Sequence, residues 1–394
     1  MDALLIGAIG AVALCLGLPI AFVILLVAML IILGDPFVSY SAVPSTFVQG
    51  MDSFILLSIP LFVVVGVIMN AGGVTQRLLD LAVALVGHFR AGLAQVNIAA
   101  SMIFSGMSGT TTSDVAGLGR IEIPMMVKAG YRPETAAVIT AVSACIGPII
   151  PPSVPFILYG ALTGTSVGQL FLGGAIPGIL LGLWLMAVVA YLARTGHIKE
   201  ERKDGVQGFS ATKLCDAVRR SLWALLTPVI MIGGIVGGLF TPTEAAGIAV
   251  FYAIAVTLFV YRELTPKQLF EIFCESAEYV GAIMLVVGAA AVFGWLMTQA
   301  GTAQVILDAV RQTNVGPLAT LIIVNLILLV LGMFLEATSM IILLSPILLP
   351  LIQEIGVDPV HFGVLFTLNM MIAVITPPIG ICGYIASDIA GHQG

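Results

Sequence analysis

The chain is organised around long runs of apolar residues that contain almost no charge. Such runs extend over Ala3–Leu33, Phe54–Asn70, Leu170–Ala193 and Gly281–Ala300. Each is long enough to cross a hydrocarbon core of about 30 Å as an α-helix. A mean hydropathy of +1.13 and a charged fraction of 9% agree with this pattern. The sequence therefore predicts an all-α polytopic membrane protein that retains its first apolar run as a span.

An internal repeat is the second feature. Pro151 and Pro152 recur as Pro377 and Pro378, and the same shift of 226 positions aligns the surrounding segments. Proline removes a backbone donor and breaks a helix, so a double proline inside an apolar run is unusual, and here it occurs twice. Further matches are Gly106 with Gly332, Thr112 with Thr338, Ser113 with Ser339, Pro124 with Pro350 and, at a shift of 228, Asn97 with Asn325.

Each half contains the same four segments in the same order. A spanning helix is followed by an amphipathic segment, a stretch with a hydroxyl-rich centre, and a helix broken at the double proline. The hydroxyl-rich stretch is either one overlong helix or a re-entrant hairpin, and its central Gly, Ser and Thr residues favour the hairpin. The predicted segments are 52–71 and 278–300, 74–89 and 302–314, 92–127 and 318–353, and 133–164 and 359–390.

The basic residues indicate how these segments are oriented. With the open end of the first hairpin in the cytoplasm, an odd number of crossings separates the hairpins, so the second opens on the opposite face. This arrangement is an inverted-topology repeat. Every Lys and Arg except Arg311 then lies at or near the inner side, in agreement with the positive-inside rule. The N-terminus and the linker 194–220 are predicted to be cytoplasmic.

The two helix breaks predict the chemistry. A helix broken at membrane depth leaves backbone groups that lipid cannot satisfy. Each break lies beside hydroxyl-bearing residues, Thr111–Ser113 in the first half and Thr338–Ser339 in the second. Carbonyl and hydroxyl oxygens bind hard cations, and the helix amino ends at the breaks attract an anion. We therefore predict coupled transport, with sodium ions in two oxygen-rich cages and an anionic solute between them.

Acidic residues at the tips add candidates, since a carboxylate inside a membrane is costly enough to indicate a function. Asp114 is a candidate cation ligand. Glu336 is interpreted as a ligand, a proton carrier or a cap for the helix that begins near Ser339. Arg120 and Glu122 either neutralise each other or the adjacent loop, or serve transport. The simpler alternatives are a structural kink for the prolines and helix-to-helix hydrogen bonds for the hydroxyls.

No enzyme signature competes with transport. The sequence has no Walker A motif, and its four histidines form neither a metal cluster nor a triad with Ser and Asp. We therefore expect neither an enzyme nor a nucleic-acid-binding protein. Membrane lipids are the expected surroundings.

Three stretches resemble a known family. They are SGMSGTTTSDVAGLGRIEIPMMVKAGYRPETAAVITAVSACIGPIIPPSVPFILYG (Ser105–Gly160), GLFTPTEAAGIAVFYA (Gly238–Ala253) and FGVLFTLNMMIAVITPPIG (Phe362–Gly380). They are similar to the large, DctM-like membrane subunit of tripartite ATP-independent periplasmic (TRAP) transporters. The resemblance implies a sodium-driven elevator-type carrier of the bacterial inner membrane. It also implies a small four-helix membrane subunit, a periplasmic solute-binding protein, and organic acids such as C4-dicarboxylates or sialic acid as solutes.

The resemblance further implies where the sites lie. The first cage is assigned to Ser108, Asp114 and backbone groups of 147–153, and the second to the tip at Thr338 and Ser339 with 376–380. The candidate sodium ligands are Ser108, Ser113, Asp114, Gly147, Pro151, Glu336, Thr338, Ser339, Thr376, Pro377 and Gly380. The candidate solute contacts are Ser108, Thr111, Thr112, Ser153, Thr338 and Ser339.

The implied domain division separates a transport domain, made of hairpins and broken helices, from a scaffold. The segments are 1–91 (first scaffold helices and amphipathic segment), 92–164 (first hairpin and broken helix), 165–193 (spanning helix), 194–220 (linker), 221–277 (scaffold helices of the second half), 278–317 (spanning helix and amphipathic segment) and 318–394 (second hairpin and broken helix). The repeat places a partner of the helix at 168–193 near 394–419, so we expect a truncated chain.

Other classes of protein remain as alternatives. The nearest is a self-sufficient carrier of the divalent anion:sodium symporter type, which shares hairpins and broken helices but needs no binding protein. A passive channel would carry solute without sodium. A scaffold subunit would bind neither ion nor solute.

Overall fold

The structure is a computed structural model that describes residues 5, 8–10, 12–13, 16–34, 40–198, 209–313, 315–377 and 380–391. Every regular element in this part of the chain is helical, as predicted. The helices are α1 (Ile20–Gly34), α2 (Ala42–Met51), α3 (Ser58–Ala71), α4 (Val74–Val86), α5 (Gly92–Ser108), α6 (Thr111–Lys128), α7 (Pro133–Ala144), α8 (Val154–Thr163), α9 (Val167–Arg194), α10 (Ala211–Val236), α11 (Pro242–Ala255, continued by a π-helical turn, Val256–Val260), α12 (Pro266–Gln299), α13 (Thr302–Thr313), α14 (Pro317–Gly332), α15 (Ala337–Glu354), α16 (Pro359–Ile375) and α17 (Ile381–Gly391).

Several helices have the length and composition of membrane spans. In the described residues these are α9, α10, α11 with its π-helical turn, α12 and α15, and the bent pair of α3 and α4 adds a sixth if it is one span. α9 directs Ile176, Leu180 and Trp184 outward, and Trp184 is 68% exposed. Such a surface suits lipid tails, which are as apolar as these side chains. The chain is a multi-pass membrane protein.

The first apolar run is not one uninterrupted helix, in contrast to the prediction for 3–33. Leu16 and Gly17 form a turn, and α1 begins after Pro19. Gly17 has a φ of 81°, a backbone conformation that favours glycine. The span predicted at 52–71 also starts later, because α3 begins at Ser58.

Two helices begin earlier than predicted because side chains cap their amino ends. α10 begins inside the predicted linker 194–220, where the Ser210 hydroxyl accepts a hydrogen bond from the Lys213 amide at 3.5 Å. α12 begins where Thr265 and Gln268 form a capping box, well before the predicted start at 278. The central part of the linker, with Lys199, Arg202 and Lys203, lies outside the described residues.

The stretches predicted as hairpins each consist of two helices. Gly109 and Thr110 separate α5 from α6, and Gly109 adopts a φ of 64° that glycine takes without strain. The first stretch is therefore not one overlong helix. In the second half, residues 333–336 separate α14 from α15, and both of these arms pack on α16.

Both broken helices are interrupted at the double prolines. α7 ends before Pro151 and Pro152, and α8 begins after them. Similarly, α16 ends before Pro377 and α17 follows, although Pro378 lies outside the described residues.

The two repeat units pack on each other reciprocally. The second arm of the first hairpin, α6, packs on α17, while the second arm of the second hairpin, α15, packs on α8. Each hairpin thus contacts the broken helix of the other half. This packing brings the tips and the breaks of both halves together.

The remaining helices surround this group. α12 packs on α1, α2 and α3 and also on α15, so it links the amino-terminal helices to the second hairpin. α10 packs on α4 and α11, and α11 packs on α3. The group of hairpins and broken helices is therefore flanked by helices that the sequence assigned to the scaffold.

Candidate functional site

Asp114 lies at the first helix break and is only 1% exposed. It occupies the first turn of α6, where the helix dipole favours negative charge. Its Oδ1 accepts a hydrogen bond from the hydroxyl of Ser108, the last residue of α5. Its Oδ2 is buried and has no hydrogen-bond partner among the described residues. One oxygen of a buried carboxylate is thus available to a ligand.

Gly147 allows the break to approach this carboxylate. A Cβ atom built on Gly147 would collide with Asp114 Oδ2, so a larger residue would displace either the carboxylate or the break. The Ala144 carbonyl oxygen lies 3.1 Å from the same Cβ position. A carboxylate oxygen, the Ser108 hydroxyl and a backbone carbonyl therefore lie close together, and hard cations prefer such oxygen ligands.

Ser153 holds the rest of the first break in place. It caps α8, because its hydroxyl accepts a hydrogen bond from the Phe156 amide at 3.3 Å and donates one to the Pro148 carbonyl. Next to it, the Val154 amide donates to the Gly109 carbonyl at 3.3 Å, which joins the hairpin tip to the break. The observed contacts of Ser153 are therefore with the break itself.

Two further predicted ligands lie near the first break. Ser113 is half-buried and directly precedes Asp114. Pro151 is buried, and its carbonyl oxygen lies 4.0 Å from a Cβ position built on Gly106 of α5. Among the described residues, no side-chain hydrogen bond connects Ser113 to Asp114.

Glu336 organises the second tip. It caps α15, since its carboxylate accepts a hydrogen bond from the Ser339 amide at 3.0 Å. The same carboxylate accepts a hydrogen bond from the Thr338 hydroxyl at 2.7 Å, and the Ser339 hydroxyl lies 3.4 Å from it. Of the three roles considered for Glu336, the structure shows that of a cap at the amino end of α15.

The second break is not assembled in the same way as the first. Thr376 donates its hydroxyl hydrogen to the Ile372 carbonyl at 2.7 Å, within its own helix. Pro377 is exposed, and Gly380 has a φ of 44°. Within the described ranges, no side-chain hydrogen bond joins Thr338 to Thr376. The side chains predicted as ligands of the second cage thus lie at the second tip and break, but Thr338 bonds to Glu336 and Thr376 bonds to the Ile372 carbonyl.

The two tips meet at a small cavity of about 30 Å³. Thr111 and Thr112 reach it from the first tip, and Glu336 and Thr338 reach it from the second. The sequence had not singled out Tyr279, which enters the cavity from α12. The other lining residues include Pro148, Val154, Met371 and Val374. Three predicted solute contacts, Thr111, Thr112 and Thr338, are therefore brought together, whereas Ser108 and Ser153 contact the first break.

A buried polar network joins α5, α6 and α7. Glu122, which has no exposed surface, accepts a hydrogen bond from the Asn97 amide group at 2.6 Å. That amide group also donates to the Thr140 hydroxyl at 2.8 Å, and the Ser143 hydroxyl donates to Asn97 Oδ1 at 2.6 Å. Arg120 is exposed, and no ion pair joins it to Glu122 in the described part of the chain. The mutual neutralisation considered for Arg120 and Glu122 is therefore wrong.

The second half contains a counterpart of this network. The Asn369 amide group donates hydrogen bonds to the backbone and side-chain oxygens of Asn325, both at 2.9 Å. Asn325 is the repeat partner of Asn97, and Asn369 is the repeat partner of Ser143. In each half, the first hairpin arm is thus hydrogen-bonded to the first segment of the broken helix.

These repeated hairpins and breaks correspond to a known family. Residues 8–393 match the family described as tripartite ATP-independent periplasmic transporter, DctM component. The chain belongs to the DctM family of TRAP large permeases. The family assignment drawn from three stretches of sequence is therefore confirmed over nearly the whole chain.

Relatives of this TRAP permease include two proteins of similar length. The chain is 39% identical over 376 residues to the sialic acid TRAP transporter large permease protein SiaM of Vibrio cholerae serotype O1, covering 95% of this chain and 86% of SiaM. It is 38% identical over 343 residues to the C4-dicarboxylate TRAP transporter large permease protein DctM of Pseudomonas aeruginosa, covering 87% of this chain and 79% of that protein.

A solved structure shares the fold. The crystal structure of the Alcanivorax borkumensis YdaH transporter resembles this chain with a TM-score of 0.55 at 14% sequence identity. The similarity covers 90% of this chain and 82% of YdaH. It concerns the fold alone.

Proposed function

We propose that this TRAP large permease couples the uptake of an organic acid to the entry of sodium across the bacterial inner membrane. The observation that carries the proposal is the buried Asp114 Oδ2 beside Gly147, without a hydrogen-bond partner in the described residues. A buried charge costs free energy unless it is paired. A sodium ion at this position would pair it, with the Ser108 hydroxyl and the Ala144 carbonyl as further hard ligands.

A second sodium ion is assigned to the second tip and break. The support is the repeat, which aligns Thr338 and Ser339 with Thr112 and Ser113 beside equivalent double prolines. The hydroxyls of Thr338 and Ser339 are directed to Glu336. Binding at Thr376, Pro377 and Gly380 therefore requires these hydroxyls to turn toward the break.

The solute is assigned to the cavity between the tips. α6 and α15 both begin there, and helix amino ends favour anions. The names of SiaM and DctM specify sialic acid and C4-dicarboxylates, which are all organic acids. A cavity of about 30 Å³ is far smaller than such a solute, so the two tips must separate when it binds.

The partners and the motion follow from the same proposal. The chain acts with a small four-helix membrane subunit and a periplasmic solute-binding protein. Its hairpins and broken helices move as one unit against the scaffold helices, in an elevator motion. Reciprocal packing of α6 on α17 and of α15 on α8 supports an inverted repeat that forms one such unit. The distribution of Lys and Arg supports a cytoplasmic N-terminus and linker.

Uptake into proteoliposomes tests this function. The chain, its small subunit and its solute-binding protein are reconstituted and given a panel of radiolabelled organic acids, with external sodium or potassium. We expect uptake only with sodium and with the binding protein. Sodium-dependent uptake without the binding protein would favour the self-sufficient symporter, and sodium-independent flux would rule out the sodium cages.

A further inference from the structure

Glu122 is a buried carboxyl group that belongs to neither the proposed sodium sites nor the solute site. Its Oε2 accepts a hydrogen bond from the Asn97 amide group at 2.6 Å. Its Oε1 is buried and has no hydrogen-bond partner in the described residues. No Lys, Arg or His forms an ion pair with it in that part of the chain. A carboxylate buried in this way costs free energy unless a positive charge joins it.

The carboxyl group is not needed to hold the helices together. In the second half, two asparagines alone join the first hairpin arm to the first segment of the broken helix. The repeat aligns Glu122 with Leu348 and Thr140 with Phe366, so the second network has neither a carboxyl group nor a hydroxyl at these positions. The carboxyl group of the first half therefore points to a ligand rather than to packing.

The groups around Glu122 favour a proton over a metal ion as that ligand. The Asn97 NH₂ group donates to Glu122 Oε2 at 2.6 Å and to the Thr140 hydroxyl at 2.8 Å. Both oxygens thus face a donor, which a metal ion would have to displace. α6 and α7 are also closely packed here, since a Cβ built on Gly119 would lie 3.2 Å from Thr140 Cγ2. A proton needs one oxygen and no added space, and Oε1 is available.

The ionisable groups on the neighbouring elements identify the electrostatic partner of Glu122. The helices α5, α7 and α17 pack on α6, and α5 carries no titratable side chain. On α6, α7, α17 and the turns after α6 and α7, the titratable side chains other than Glu122 are Asp114, Arg120, Lys128, Tyr131, Arg132, Glu134, Cys145, Cys382, Tyr384 and Asp388. All the Asp, Glu, Lys and Arg residues of this set except Asp114 are exposed. Asp114 is therefore the charged group that shares the buried interior with Glu122, and the two charges interact.

The spacing of Asp114 and Glu122 sets the strength of this interaction. They lie eight positions apart on one stripe of α6, which corresponds to about 12 Å along the helix axis. Over that distance, two unit charges interact by about 1.4 kcal/mol at an effective dielectric constant of about 20, which is a tenfold change in a binding constant. An ionised Glu122 attracts a sodium ion at Asp114 by this amount, whereas a protonated Glu122 does not. By linkage, sodium that binds favours loss of the proton.

We propose that Glu122 is a proton-binding site that regulates sodium binding at Asp114. In this conformation the proton is bound to Glu122. When sodium binds, the O–H bond of the carboxylic acid breaks and the proton passes to water. Sodium affinity is therefore highest when Glu122 is ionised, and it falls about tenfold as the pH is lowered and Glu122 takes up its proton. This inference rests on the proposed sodium site, so the proton and its coupling to sodium are tested separately.

Infrared difference spectroscopy tests for the proton without depending on sodium. The full chain is purified with its small subunit, and the wild type is compared with Glu122→Gln at neutral pH in the absence of sodium. We expect the difference spectrum to contain the C=O stretching band of a protonated carboxylic acid. Glu134→Gln is the matched control, because it removes an exposed carboxyl group from the neighbouring α7 and should leave this band unchanged. A difference spectrum without the band would overturn the proposal.

Sodium titrations of the same proteins over a range of pH test the coupling. Glu122→Gln keeps an acceptor for the Asn97 amide group and mimics the protonated acid. We expect the sodium dissociation constant of this variant, divided by that of the wild type, to rise from about one at acidic pH to about ten at alkaline pH. Competition of protons for Asp114 occurs in both proteins and cancels in this ratio.

The outcomes separate this inference from the proposed function. A ratio that does not change with pH would overturn the coupling even if the wild type binds sodium. Absence of sodium binding in the wild type would refute the proposed function and the coupling together, and the infrared band would still decide whether Glu122 holds a proton. In Glu134→Gln we expect the sodium affinity of the wild type at every pH.

Discussion

Replacement of Asp114 by asparagine is the sharpest test of the first sodium site. Asn keeps the size of the side chain and the oxygen that accepts the hydrogen bond from Ser108. It replaces the unpartnered Oδ2 with an amide NH₂ group. The substitution therefore removes the negative charge and directs hydrogens toward the position assigned to the cation.

The expected effect can be estimated from charge. Two unit charges 4 Å apart interact by about 4 kcal/mol at an effective dielectric constant of 20. The cost of burying the carboxylate disappears in the variant and offsets part of this loss, so we expect a net loss of about 2 kcal/mol. That loss corresponds to a roughly thirtyfold rise in the sodium concentration that gives half-maximal uptake.

Sodium titration of uptake into proteoliposomes measures this effect. Asp308→Asn is the control, because it removes an exposed carboxylate on α13 that lies 3.8 Å from Arg311. We expect this control to shift the sodium requirement by less than about threefold, as for other surface ion pairs. The reasoning is refuted if Asp114→Asn folds with a normal thermal midpoint and keeps the wild-type sodium dependence.

Substitutions at three further positions test other contacts. Gly147→Ala introduces a Cβ that collides with Asp114 Oδ2. We therefore expect sodium to raise the thermal midpoint of the wild type but not that of the variant. An equal rise in both proteins would contradict this. Glu336→Gln keeps an acceptor for the Ser339 amide, so we expect near-normal uptake. Glu336→Ala removes the cap and should cost about 1 kcal/mol of stability. Inactivity of the Gln variant would mean that the charge itself is needed. Glu122→Leu should lower the unfolding free energy by about 2 kcal/mol more than Glu122→Gln, because it leaves one N–H of the buried Asn97 amide group without an acceptor. Equal denaturation midpoints would exclude this.

The helix breaks could be predicted from the sequence because the residues that cause them act locally. Gly109 tolerates the left-handed backbone of the first tip, and Pro151 and Pro152 cannot continue a helix. The repeat then transfers the same reasoning to the second half. Family membership is equally well supported, since long stretches around these breaks carry the resemblance.

The first residues of two helices were predicted less well, because segments with charged residues were interpreted as loops. α10 and α12 both begin with capped, charged turns that precede the apolar run. The capping residues Ser210 and Thr265 were the available signals, and they indicate where a helix begins even when the following residues are polar.

Contacts between distant segments had no local signal. The approach of Tyr279 to the hairpin tips depends on how α12 packs on α15. The burial of Glu122 depends on how α5 packs on α6, and its charge suggested a nearby basic partner instead. Only the match of Asn97 with Asn325 pointed to this network, since a polar residue repeated inside two apolar arms suggests a shared contact.

The repeat units differ in how their amphipathic helices are anchored. In the first half, Arg77 at the beginning of α4 pairs with Glu263, and the Ser221 hydroxyl of α10 donates to the Arg77 carbonyl at 2.9 Å. In the second half, Arg311 near the end of α13 pairs with Glu354 at the end of α15 at 2.6 Å. The hydrogen bond to the Glu354 carboxylate raises the pKa of the Arg311 guanidinium. These contacts tie α4 to scaffold segments, although α4 also packs on the hairpin arm α5, and they tie α13 to a hairpin.

This difference determines where a motion of the hairpins must be absorbed. If the hairpins moved against α10 and α4 stayed with α10, the first half would bend between α4 and α5, where Ala91 has a φ of 54°. The second half must bend between α12 and α13, where Gly301 has a φ of 64°. In such a motion the two halves, although they repeat one sequence pattern, would bend at opposite ends of the amphipathic helix.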